Sequence, residues 1–206
     1  MNQNDPRVKR TRQLLQQALM DLLQEKGFQA ITVQDIAERA TLNRATFYAH
    51  FTDKYDLIDN VMREGLQRAL SKHVPTGAAF STSTLRTICR TVFEFMGQVQ
   101  AHCLPGDEQV GLLFDQAVQE VLQSFLARRL IHLPTTGGPW QASRETLATL
   151  LSWAIFGVGV RWSRGPRAQS ADDIAGQVVA ALRGGIAAAL AEAAPDRHTL
   201  APAATR

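Results

Sequence analysis

Between Asn43 and Lys54 (NRATFYAHFTDK) the chain gathers an arginine, a tyrosine, a histidine and a lysine around alanines and a threonine. Arg44 has a planar fork of donors that can bond guanine O6 and N7 together. Ala45, Thr46 and Ala49 are small enough to let a helix approach closely, and their methyls can touch thymine methyls. Tyr48 and His50 stand beside them, where a hydroxyl and an imidazole can reach phosphate oxygens. Lys54 follows in the first turn of another helix, adding its charge to the amides of a helix start, a ready phosphate site. The chemistry within reach of this set is hydrogen bonding to the edges and backbone of a nucleic acid duplex.

Those groups work only if something presents them together. Phe47 and Phe51 are one helical turn apart, so they share a face and can anchor it to a core, leaving Ala45, Thr46 and Ala49 opposite. Just upstream, Thr32-Val33-Gln34-Asp35 reads as a capping box with Asp in place of the usual Glu. It opens a short helix whose Val33, Ile36, Ala37 and Ala40 face inward. After a turn at Thr41-Leu42, Asn43 caps a third helix ending near His50. Asp53 caps a fourth running to about Lys72, with Tyr55, Leu57, Ile58, Val61, Met62, Leu66 and Leu70 as its apolar positions. Two short helices joined by a tight turn predict a helix-turn-helix, whose second helix lies in the major groove. Three merely packed helices would leave the small outward residues and basic ends without a reason.

The first helix opens at Asp5-Pro6 as N-cap and N1. Val8, Leu15, Ala18, Leu19 and Leu22 form its apolar stripe, and Gly27 closes it after Lys26. Arg7, Lys9, Arg10 and Arg12 make a basic run without an acid among them, the distribution that phosphate contact needs.

The signature TVQDIA, then NRATFYAHF, then DKYDLI resembles the TetR/AcrR family of bacterial regulators over residues 8–58. Beyond that stretch the likeness is one of length and helical character. The resemblance implies that Thr32 and Gln34 contact DNA from the second helix. It also implies that Arg44, Ala45, Thr46, Tyr48 and Ala49 face bases while His50 and Lys54 hold phosphates. Thr41 departs from the family, which often has glycine there, and a β-branched residue is a poor left-handed cap. Asn43 replaces the more usual serine, one N-cap for another.

The remaining length is a second body. The chain has 206 residues, a formal charge of +3, 45% hydrophobic and 20% charged residues, enough apolar surface for a sizeable core. Helical patterns resume at about 84–102, 107–132, 143–163 and 171–193, broken at Pro105-Gly106, Pro134 to Pro139 and Arg164-Gly165-Pro166. The expected fold is all-α, with a reading domain at 1–53, a helical effector-binding and dimerisation domain at 54–194, and a tail at 195–206. Leu147, Leu150, Leu151, Ile155 and Val158, with Gly157 and Gly159 allowing close approach, mark one helix of a homodimer interface. Ile174, Val178, Ala181, Leu182, Ile186 and Leu190, beside Gly184 and Gly185, mark the other; the same stripes would also serve an intrachain core. The resemblance implies a four-helix bundle between two copies. Cys89, Phe93, Met96, Phe114, Val118, Trp153 and Phe156 are the candidate lining of a pocket for a small-molecule effector of unknown identity.

No apolar run reaches the roughly 18 residues of a membrane span, and the polar start lacks a signal-like apolar segment. With only Cys89 and Cys103, no disulfide framework forms, which fits a cytoplasmic protein. His102 beside Cys103 lacks the further ligands a zinc site needs, so neither metal nor cofactor is expected. Whether either thiol senses redox state is open. The chain carries no phosphate-binding loop, dinucleotide fingerprint, zinc-protease or serine-hydrolase motif, so no catalysis is expected. The partner predicted is a double-stranded, near-palindromic operator read by a ligand-responsive repressor. The alternative is a helical small-molecule-binding or interaction protein without DNA binding.

Overall fold

The computed structural model describes residues 5–102, 108–131 and 143–185, and every element among them is helical. α1 (Pro6–Glu25) begins as its sequence predicts, with Asp5 accepting a hydrogen bond from the Arg7 amide at 2.8 Å. Its end differs. The chain leaves the helix at Lys26, whose amide still donates to Leu22, and Gly27 leads into a 3-10 turn at Phe28–Ala30. Gly27 has φ −62°, which any residue adopts, so it is not a left-handed terminator.

The short helices follow as α2 (Val33–Arg39) and α3 (Arg44–Tyr48), and then the long α4 (Lys54–His73). The second body holds α5 (Thr82–His102), α6 (Glu108–Leu130), α7 (Arg144–Arg164) and α8 (Ala171–Ala180), which loosens into a π-turn at Ala181–Gly185. Ser143 and Ser170 cap α7 and α8. No described helix is long and apolar enough to cross a membrane. Ile186, Leu190, Cys103, the side chain of His102, the Pro105-Gly106 and Pro134–Pro139 breaks, and the tail lie outside the described residues.

α4 is the spine. Leu57, Ile58, Met62, Leu66 and Leu70 are all buried along it, and it packs against α1 near its start and against α5 and α6 farther along. At about 1.5 Å per residue it carries contact over roughly 30 Å. Polar bonds fix both flanks. Gln16 of α1, only 7% exposed, donates to Asn60 Oδ1 at 2.7 Å and Glu64 Oε2 at 3.0 Å. Arg63 bonds Asp59 at 2.7 Å on its own helix and reaches Glu120 of α6 at 2.6 Å.

In the second body α5 is central, with Ile88, Cys89, Val92, Phe93 and Met96 buried and α7 and α8 laid against it. Gly159 makes the closest approach: a Cβ there would stand 2.6 Å from Met96 Sδ and 3.1 Å from the Phe93 ring. At Gly157 a Cβ would meet nothing within 4 Å. The residues assigned from sequence to one face of α7 therefore divide. Leu151 and Ile155 are buried within the chain, while Leu150 and Val158 look outward, 58% and 37% exposed. On α8, Val178 is buried and Ile174 partly so; on the π-turn that follows, Leu182 is partly buried and Ala181 is exposed.

Candidate nucleic-acid interface

The turn between α2 and α3 is built by backbone bonds. Thr41 donates to Glu38 at 3.0 Å and Leu42 to Ala37 at 2.9 Å, the paired closure of a helix end whose next residue is left-handed. Thr41 takes that conformation, φ 58°, despite its branched Cβ. The chain then extends to Asn43, which accepts from the Thr46 amide at 2.7 Å and the Thr46 hydroxyl at 2.9 Å. With its hydroxyl held, Thr46 has its methyl left for outside contact. At the entry to α2 the capping box is complete: Thr32 and Asp35 exchange amide bonds, and the Thr32 hydroxyl donates to Asp35 Oδ2 at 2.8 Å. The Thr32 amide, then Lys26 at 3.0 Å and the Thr32 hydroxyl, hold the Asp35 carboxyl down to about 2.

These caps rotate α3 to a definite setting. Phe47 is 0% and Phe51 2% exposed, packed with rings 6.0 Å apart. Arg44, Ala45, Tyr48 and Ala49 are exposed. Arg44 Nη2 donates to the Tyr48 hydroxyl at 3.1 Å and its guanidinium lies 5.4 Å from that ring. It forms no ion pair among the described residues, nor do Arg7, Lys9 and Arg10, all exposed on α1. Gln34 is exposed on α2, with its amide on Glu38 at 2.6 Å. The surface so made has small side chains beside the Arg44 guanidinium, which no carboxylate neutralises among the described residues.

Two of the expected phosphate contacts have a different setting. Lys54 turns its Nζ inward, donating to the carbonyls of Phe28, Gln29 and Ile31 at 3.1, 3.1 and 2.9 Å, between the rings of Phe28 and Tyr55. The ammonium thus ties the start of α4 to the segment joining α1 and α2. His50 is half-buried; burial first, and the charge of Arg12 second, lower its pKa, and its Nδ1 has no hydrogen-bond partner among the described residues. Near neutral pH it is an uncharged imidazole.

Arg12 is the residue that sequence reading placed only in a basic run. It is half-buried, donates to the His50 carbonyl at 3.2 Å and stacks 4.3 Å from the Phe51 ring, bracing α1 against the end of α3. The signal was its place on the stripe of Leu15 and Leu19, which points a side chain toward the core. Arg39 also locks α2 to α1 through two bonds to Glu25, at 2.8 and 2.7 Å.

The expected effector lining is split. Cys89, Phe93, Met96, Phe114 and Val118 are at most 2% exposed and belong to the core, whereas Trp153 is 57% exposed on the outer side of α7 and Phe156 is half-buried beneath it. Trp153 faces outward because Leu151, Ser152 and Ile155 take the inner side of that turn. Burial pushes the Cys89 thiol up to about 12, so it carries no thiolate at neutral pH and suits packing rather than redox sensing.

Comparison with known proteins places these observations. Residues 15–61 match the model of the bacterial regulatory proteins, tetR family. A curated relative, the uncharacterized HTH-type transcriptional regulator YxbF of Bacillus subtilis (strain 168), is 42% identical over 62 residues, which are 30% of this chain and 16% of that protein. The fatty acid degradation regulator FadR of Bacillus halodurans shares the fold with a TM-score of 0.57 at 17% identity, over 85% of this chain and 96% of that one. The Thermus thermophilus FadR, solved in complex with lauroyl-CoA, gives 0.55 at 18% identity over 94% of this chain and 100% of its own.

Proposed function

From the premise that the chain belongs, through residues 15–61, to the tetR family of bacterial regulatory proteins, we propose that it is a sequence-specific transcriptional repressor that binds a near-palindromic operator as a ligand-responsive homodimer. The observation that carries this reading is the setting of α3: phenylalanines buried behind, Ala45 and Ala49 exposed in front, and Arg44 at the helix start without an ion pair among the described residues. A helix so presented fits a major groove, where Arg44 reads a guanine and the alanines lie against thymine methyls. Thr32, Gln34, Thr46 and Tyr48 flank that contact, and His50, as a neutral donor, reaches the backbone. Lys54 serves it by holding α4 to the reading unit, with the exposed basic residues of α1 supplying phosphate attraction.

The reading unit is residues 1–53 and the effector and dimer body 54–194, with α4 shared between them and 195–206 a tail. A second copy covers the outer face of α7, where Leu150, Trp153 and Val158 are exposed around the open Gly157. Twofold symmetry then sets two α3 helices toward half-sites about one helical turn apart, or a multiple of it. An effector that binds one spacing of those helices better than the other shifts operator affinity by the difference, typically ~1–3 kcal/mol. The protein acts on DNA in the cytoplasm and does no catalysis.

The test is footprinting of the purified protein on the intergenic DNA beside its own coding region, repeated with Arg44→Ala. A protected palindrome is expected, with Arg44→Ala losing about 1–3 kcal/mol of discrimination at one base pair of each half-site. Binding that is equal on all sequences, or a specificity untouched by Arg44→Ala, removes the reading.

A further inference from the structure

Far from the reading surface, a cleft of about 630 Å³ opens between the last turn of α4, the connection to α5 and the end of α6. Ser71, Thr76, Phe80, Phe125, Arg128 and Arg129 line it. Its floor is a tight turn. Pro75 accepts a hydrogen bond from Ala78 at 3.2 Å, and Gly77 between them has φ 91°, the left-handed position such a turn needs at its third residue. Arg129 pins that turn to α6, donating to the carbonyls of Val74, of Pro75 at 2.7 Å and of Ala78 at 3.4 Å, with its guanidinium 5.0 Å from the Phe125 ring. The cleft is therefore held open by the chain's own bonds.

Arg129 is occupied by this work and Arg128 is not. Arg128 is exposed at the rim and has no carboxylate in ion-pair range among the described residues. Among the described residues, no Asp or Glu lines the cleft. A cation in the last turn of a helix eases the helix dipole, and that alone accounts for one arginine at the end of α6. Two adjacent guanidinium groups beside a cleft without an acid leave a net positive potential over its mouth. The interior is the opposite in character, with Phe80 and Phe125 as apolar walls and the Ser71 and Thr76 hydroxyls as directional groups. The volume lies within the roughly 300–1,000 Å³ of small-molecule sites.

We propose that this cleft binds an organic anion with an apolar body, its carboxylate or phosphate head on Arg128 and its body between Phe80 and Phe125. The binding claim stands without the DNA reading; its regulatory consequence rests on that reading. Ser71 sits on the last turn of α4, and the first turn of the same rod, about 25 Å away, is tied by Lys54 to the segment before α2. A ligand bearing on Ser71 thus acts on the helix that carries the reading unit.

The probes are octanoate, octyl phosphate and octanol, titrated calorimetrically into the full-length protein. Both anions are expected to bind, with octanol weaker by about tenfold or more, as loss of a charge-assisted hydrogen bond implies. Arg128→Ala should lose the anions by a similar factor while keeping the melting temperature, and Arg128→Lys should recover part of the loss. The order of the two anions identifies the head group. Octanol binding as tightly as octanoate, anion affinity unchanged in Arg128→Ala, or no heat from any probe at millimolar concentration overturns the site. Operator binding measured with and without octanoate separates the two claims. Anion binding through Arg128 with unaltered operator affinity removes the regulatory link alone, and anion binding by a protein without sequence preference removes the DNA reading alone.

Discussion

In α3, Phe47 is fully buried while Ala45 and Ala49 beside it are exposed; in α7, Leu151 is buried while its neighbour Leu150 is 58% exposed. Both helices put adjacent residues on opposite sides, but the rotation is fixed differently. In the reading unit, caps stand within a few residues of each other: Thr32 with Asp35, Asn43 with Thr46, and Asp53 with the amides of Tyr55 and Asp56. Each short helix is held at its start, which on α3 leaves Arg44, Ala45, Tyr48 and Ala49 outward. α7 runs from Arg144 to Arg164, is apolar on much of its circumference, and takes its rotation from what α5 and α6 offer. Local chemistry sets the first region, and tertiary packing sets the second.

The sharpest break of that contrast is Phe47→Ala. Emptying a fully buried aromatic position should cost ~3–5 kcal/mol in denaturant unfolding and remove operator binding with it. A small loss would mean that α3 is held by its caps alone. Next is the pair of glycines in α7. Gly159→Ala, meeting Met96 and Phe93, should cost about 1–2 kcal/mol after the helix-propensity gain of alanine. Gly157→Ala should cost the isolated chain nothing. Equal costs would mean that α7 has no inner and outer side.

Thr41→Gly addresses the turn that the caps enclose. Relieving a branched residue at φ 58° should raise stability by about 1 kcal/mol, read as a higher denaturation midpoint. No gain would show that the turn is unstrained.

The smallest effect is one of pH. His50 has a lowered pKa in the fold, so the unfolded chain takes up its proton first on acidification. Its contribution to stability is complete above the ordinary histidine value and fades as pH falls below it. Between pH 7 and pH 5 the wild type should lose stability that His50→Gln does not lose. Identical pH profiles would mean that its burial and the charge of Arg12 have no energetic consequence.

The all-α class, the start of each helix in the reading unit and the burial of Phe47 and Phe51 were legible in the sequence because capping residues and helical spacing are local signals. The end of α1 before Gly27 was legible too, but not its means: extended backbone at Lys26 and a 3-10 turn from Phe28 end the helix, with Gly27 in a conformation open to any residue. The Lys54 side chain was not legible, since its acceptors lie on carbonyls of another segment that only the tertiary fold brings near. In the body, Trp153 and Phe93 look alike as apolar residues on helices. Which of them is inside depends on neighbours contributed by other helices, as Gly159 and Trp162 of α7 are for Phe93, and spacing along a single helix does not report those.

The three carbonyls gathered by the one amine of Lys54 bear on how the molecule can move. With Arg12 and Arg39 as further rivets, the first three helices and the head of the fourth are tied into one plate, which such bonds would move as a whole. A push on the far end of α4 then changes where that plate points, and its own contour stays the same. In the proposed dimer, the quantity open to control is then the gap between two such plates.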